Sequence, residues 1–174
     1  LTPDTCPVMR GGRIGHGAAM SGRPASPALN VVIGVGAPIV LNAEGGAPEW
    51  IMVLPAGGAL TTVDGRGPYR VGDAATLAAT SLQSAGGRLP IDENHATDLA
   101  APMGQPSPAR GWITEMQARP DGVWGRVEWN DAGKALMAER AYRFLSPVFQ
   151  TARDNAVVRL LRASLTNTPN LRGM

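Results

Sequence analysis

Between Gly111 and Trp129 the chain alternates apolar and polar residues twice, about a single turn. Gly111-Trp112-Ile113-Thr114-Glu115-Met116-Gln117-Ala118 is one such run, and Val123-Trp124-Gly125-Arg126-Val127-Glu128-Trp129 is the other. Period-two alternation puts one apolar row on one face of a strand. Asp121-Gly122, between the runs, favours the positive φ values of a tight turn. The segment is therefore a β-hairpin, and a hairpin is stable only as part of a larger sheet or packed against helices. That requirement selects a β-rich α+β fold.

Further strands are expected on both sides of the hairpin. Asn30 to Val35 is β-branched and short, and Trp50-Ile51-Met52-Val53-Leu54-Pro55 reads as a strand buried on both faces. Asp64-Gly65 suits a hairpin turn, and Tyr69-Arg70-Val71 leads into a helix. That helix runs from Ala74 to about Ser84, capped by Asp73 and stopped by Gly86-Gly87, with Leu77 and Leu82 on its apolar stripe. Residues 99–110 read as an extended loop. Asn130 caps a second helix, from Asp131 to Arg140. Two strands follow, Tyr142 to Phe149 and Val157 to Leu165.

Residues 1–29 are rich in Gly, Pro, Ser, Ala and Arg without periodicity, and are expected to be a disordered leader. The compact domain is expected over residues 30–174. A first residue of Leu rather than Met suggests a processed or trimmed start. The charge of +2 comes from 16 basic and 14 acidic residues, too balanced for a nucleic-acid surface. The one cysteine, Cys6, makes no intrachain disulfide and points to a reducing compartment. No apolar run reaches the roughly 20 residues that span a bilayer, so no membrane partner is expected.

Two stretches carry chemistry. Ser146 stands in a strand of bulky neighbours, sharing a face with Tyr142 and Phe144. It is either a packed core hydroxyl or a nucleophile on a rigid strand. Upstream, Ile91-Asp92-Glu93-Asn94-His95-Ala96-Thr97-Asp98 gathers ionisable groups at the end of a short apolar strand. His95 there is a general base with a carboxylate to hold its tautomer, or a residue of a solvated loop. A third option is a metal site of Asp92, Glu93, His95 and Asp98, without a second histidine or a cysteine to complete it. His16, between two glycines, lacks rigid support for either role.

These motifs, with Ala163-Ser164-Leu165-Thr166-Asn167-Thr168-Pro169 at the end, resemble the Mu-like prophage I protein family over roughly residues 30–174. More distantly, the order of His, hairpin, helix, Ser-strand and closing strand is similar to the prohead maturation proteases of tailed phages and to herpesvirus assemblin. The resemblance implies a closed or nearly closed antiparallel β-barrel ringed by helices. It implies a serine endopeptidase that cleaves capsid scaffold in the assembling prohead, in the host cytoplasm, with Ser146 as nucleophile and His95 as base. Phage scaffold and capsid proteins are the implied substrates. Small proteases of this type often pair, and no cofactor or metal is implied. The third catalytic position of the distant relatives falls on Arg162, which offers no acceptor to an imidazole N–H. Asp92 is the candidate orienter instead, with Glu93 as the alternative. Asp92 helps only if the strand bends or ends before His95, since three residues along one strand point to opposite faces. By analogy the oxyanion donors lie around Thr166 and Asn167. Relatives commonly continue into a helical scaffold segment, so the chain resembles the protease half alone. A barrel acting as a non-catalytic scaffold or binding module and a metal-dependent hydrolase remain the other two readings.

Overall fold

The computed structural model describes residues 29–33, 37–40, 45–56, 59–62 and 64–168. The expected leader, with Cys6 and His16, lies outside the described residues. The strands are β1 (Asn30–Ile33), β2 (Ala37–Pro38), β3 (Trp50–Pro55), β4 (Ala59–Leu60), β5 (Tyr69–Arg70), β6 (Leu89–Glu93), β7 (Gly111–Arg119), β8 (Gly122–Trp129), β9 (Phe144–Thr151) and β10 (Val157–Thr166). The helices are α1 (Ala74–Ser84), α2 (Ala96–Leu99) and α3 (Asp131–Ala138).

The main sheet runs β1-β9-β10-β6-β7-β8-β3, with β2 also paired to β9. It curls as a half-barrel, and among the described residues it does not close: β1 and β3 stand at its two ends. Nor is it wholly antiparallel, because β10 and β6 run parallel, with Ser164 beside Asp92. That pairing brings together two strands about seventy residues apart. The hairpin forms as expected, with Gly111 opposite Trp129 and Arg119 opposite Gly122. Its turn is tied down by Trp124, whose Nε1–H donates to Asp121 at 2.9 Å. The Arg119 guanidinium lies 4.7 Å from the ring centres of both Trp50 and Trp124, binding β3 to the hairpin.

Two expectations are corrected. Trp50–Pro55 is an edge strand with only Ile51, Val53 and Leu54 buried, whereas Trp50 and Met52 are half-buried. Their second face borders an apolar cavity of about 100 Å³ shared with Ile39 and Leu145, which is why the run reads as continuously apolar. The start of the loop expected over residues 99–110 is not extended: Leu99 closes α2, and Ala101–Met103 form a 3₁₀ turn.

The core lies on the concave face. Leu145, Phe149, Ala163, Leu165, Ile91, Leu89 and Ile113 all project there and are at most 1 % exposed. Helix α1 covers it, capped as expected by Asp73, which accepts the Thr76 N–H at 2.7 Å. Its buried Ser81 donates to the Leu77 carbonyl at 2.6 Å and accepts the Leu160 N–H at 2.8 Å. Leu160 stands where the β9–β10 register shifts, so the ladder itself is irregular there. Ser81→Ala leaves that buried N–H without a partner and is expected to cost about 1–3 kcal/mol, read from the urea midpoint. Helix α3, capped by Asn130, ends at Ala138 rather than Arg140, with Met137 fully buried.

Candidate functional site

Cross-strand neighbours in a sheet share a face. Ser146 on β9 is opposite Ser164 on β10, and Ser164 is beside Asp92 on β6. These three side chains form one row on the convex face, away from Leu145 and Leu165. All are buried: Ser146 and Asp92 are 1 % exposed and Ser164 0 %. Steps across such a row are about 5 Å each.

β6 ends at Glu93, and the backbone then turns sharply. Asn94 and His95 both adopt left-handed φ values, 49° and 56°. Consecutive non-glycine residues in that region are uncommon and persist only where the surroundings hold them. Here the surroundings do so. The Asn94 N–H donates to the Leu165 carbonyl at 2.8 Å, and the His95 N–H donates to Ser164 Oγ at 2.7 Å. The Asn94 side chain donates to the Tyr142 hydroxyl at 3.0 Å, and that hydroxyl donates to Glu93 at 2.9 Å. Glu93 also pairs with Arg110. Burial, and next the bond to Glu93, raises the Tyr142 pKa above its ordinary value.

The turn sets His95 over Ser164, the residue between Ser146 and Asp92. Because β6 ends at Glu93, strand alternation does not force Asp92 and His95 to opposite faces. Glu93, on the other face, is tied to Arg110 and Tyr142 and does not orient His95. One oxygen of Asp92 accepts the Thr97 N–H at 2.8 Å. Its other oxygen, His95 Nδ1 and Ser146 Oγ are buried with no hydrogen-bond partner. Three unpartnered polar atoms of complementary kinds around one row are expensive to maintain unless they serve a function.

Two members of the site were not singled out for these roles by sequence. Ser164 anchors the histidine backbone, and Asp98 faces the ring, with Oδ2 4.0 Å from Nδ1. Arg162 donates to both Asp98 oxygens, from Nε at 2.9 Å and from Nη2. Asp98 stands three residues after His95 and so on the same side of a helical turn, but the four residues of α2 are too few to show a period in the sequence. Thr166 pairs with Phe144, two rungs beyond Ser146 and about 7 Å along the strand. The Asn167 side chain accepts the Arg143 N–H at 3.0 Å and donates to the Ala141 carbonyl at 2.9 Å, fixing the entry to β9. Among the described residues no three His, Cys, Asp or Glu side chains are placed to hold a metal ion. Glu93 faces away, and Asp98 is occupied by Arg162.

His95 titrates below its ordinary value of 6.5, chiefly because burial disfavours the cation; Asp92 and Asp98 pull it up and Arg162 pushes it down. The neutral ring is thus the state at neutral pH. A depressed folded-state value means that the unfolded chain takes up the proton first as pH falls. The contribution of His95 to stability is complete above about pH 6.5 and is lost as pH drops through the folded value. Urea unfolding of wild type and His95→Gln is expected to show this: the midpoint difference should change below pH 6.5 and stay constant above it.

Fold and site together define a β-rich α+β domain with an open, curled sheet and a buried Ser146-Ser164-Asp92 row on its convex face. The sequence profile of the Mu-like prophage I protein N-terminal domain matches residues 51–174. The chain belongs to that family, which places it among phage-related proteins. No curated protein and no solved structure matches it.

Proposed function

We propose that the domain is a serine endopeptidase of phage head assembly, with Ser146 as nucleophile and His95 as its base. One observation carries this reading. Ser146, buried with no partner for its hydroxyl, is opposite Ser164, and Ser164 Oγ accepts the His95 backbone N–H at 2.7 Å, so the two residues flank one position of β10. A hydroxyl attacks a peptide only if a base takes its proton, and a ring kept neutral by burial can do so. The donors expected around Thr166 and Asn167 lie about 7 Å along the strand from Ser146, so the oxyanion hole is not assigned to them. The substrates are capsid scaffold and prohead proteins, cleaved inside the assembling head in the host cytoplasm, as in the tailed-phage prohead proteases that the motif order resembles.

Ser146 is 1 % exposed, so a substrate reaches Oγ only after local opening. A fluorophosphonate probe is therefore expected to label slowly, at a rate that saturates with probe concentration and rises in dilute urea. Mass mapping of the adduct tests the assignment. The label should sit on Ser146, be absent in Ser146→Ala, and fall by about 10³-fold or more in His95→Ala. A protein that takes no label under any condition is a binding module. Casein cleavage that survives Ser146→Ala and stops with chelator is a metal hydrolase.

A further inference from the structure

We infer that the carboxylate orienting His95 is Asp98, clamped by Arg162, and not Asp92. The inference rests on the reading of His95 as a base and deepens it. An orienting acid must present an oxygen to the ring nitrogen that faces away from the nucleophile. Asp98 lies on the Nδ1 side of the ring, with Oδ2 4.0 Å from Nδ1, and both side chains are nearly closed to solvent. Nδ1 has no other partner. Asp92, by contrast, is directed at the backbone of the α2 turn through the Thr97 N–H.

Arg162 explains how the acid is held. Position 162 precedes Ser164 by two and so faces the same side of β10. Its guanidinium grips both oxygens of Asp98, fork to fork, and this geometry fixes direction as well as distance. An arginine cannot accept the imidazole N–H itself, but it delivers a carboxylate that can. The acid comes from α2, outside the sheet, and the strand supplies only its clamp. Closing from 4.0 Å to hydrogen-bond distance takes a small side-chain rotation, of the kind that accompanies substrate engagement.

Two influences on the ring separate here. The charge of Asp92 acts on His95 more strongly than that of Asp98. Charge acts through space, however, whereas the tautomer is set by contact with Nδ1. Asp92, Asp98 and Arg162 are the charged groups facing the ring, from β6, α2 and β10.

The sequence has two histidines, so His16→Ala leaves His95 as the sole imidazole. Long-range ¹H–¹⁵N spectra of that protein at neutral pH are expected to show the Nδ1–H tautomer. Asp98→Asn should abolish the tautomer bias and slow fluorophosphonate labelling of Ser146 by 10²-fold or more. Asp92→Asn should lower the His95 titration midpoint yet keep the tautomer. Arg162→Lys, which retains the cation but not the fork, should weaken the bias while preserving the fold, checked by circular dichroism. The inference is overturned if Asp98→Asn leaves tautomer and labelling unchanged, or if Asp92→Asn removes the tautomer instead. An Asp98-dependent tautomer in a protein whose Ser146 never labels would uphold the orienting contact and sink the peptidase reading alone.

Discussion

Ser146→Ala is expected to eliminate cleavage of a general protein substrate such as casein, by about 10⁶-fold in kcat, without destabilising the protein. The size of the loss follows from the unit behaviour of a nucleophile and its base, in which removing one member costs nearly as much as removing all. The stability half follows from burial. Ser146 Oγ is shut from solvent and has no hydrogen-bond partner. Removing an unsatisfied buried hydroxyl relieves a desolvation penalty of about 1 kcal/mol or more. A thermal melt should therefore show Ser146→Ala at or above the wild-type Tm. A packed structural hydroxyl would give the opposite pair of results: activity unchanged, or lost together with the fold.

Phe149→Ala is expected to have the largest effect on stability. Phe149 lies three residues from Ser146 on the same strand, but on the concave side. It is fully buried and meets Tyr69 edge to face, with centroids 5.4 Å apart at 80°. Truncation removes the apolar surface and leaves a cavity, costing about 3–5 kcal/mol. For a chain of this size that is a fall in Tm of roughly 10 °C. The two substitutions are thus expected to separate function from folding along one strand, Ser146 facing one way and Phe149 the other, into the core.

Much of this was legible because local chemistry and tertiary structure agree. The hairpin about Asp121-Gly122, the Asp73 and Asn130 caps, and the strands carrying Ser146 and Ser164 all follow from period, turn dipeptides and capping. What escaped lay in long-range pairing. Nothing local to Leu89–Glu93 announces that it runs parallel to β10, yet that register puts Asp92 beside Ser164. The left-handed pair Asn94-His95 was hidden too, because neither residue is glycine; their conformation is enforced by Ser164, Leu165 and Tyr142, all distant in sequence. Arg162 looked like a departure from a catalytic pattern because its partner Asp98 sits on a helix of only four residues, too short to show a period. Trp50–Pro55 misled for a related reason, since an edge strand beside an apolar cavity carries the same composition as a central one.

The central claim is spatial, and a crystal structure of the fluorophosphonate-treated protein tests it most directly. The account predicts phosphorus bonded to Ser146 Oγ, with a His95 ring nitrogen within about 3–4 Å of that oxygen. A label on any other residue, or an imidazole turned away from a phosphonylated Ser146, would contradict it.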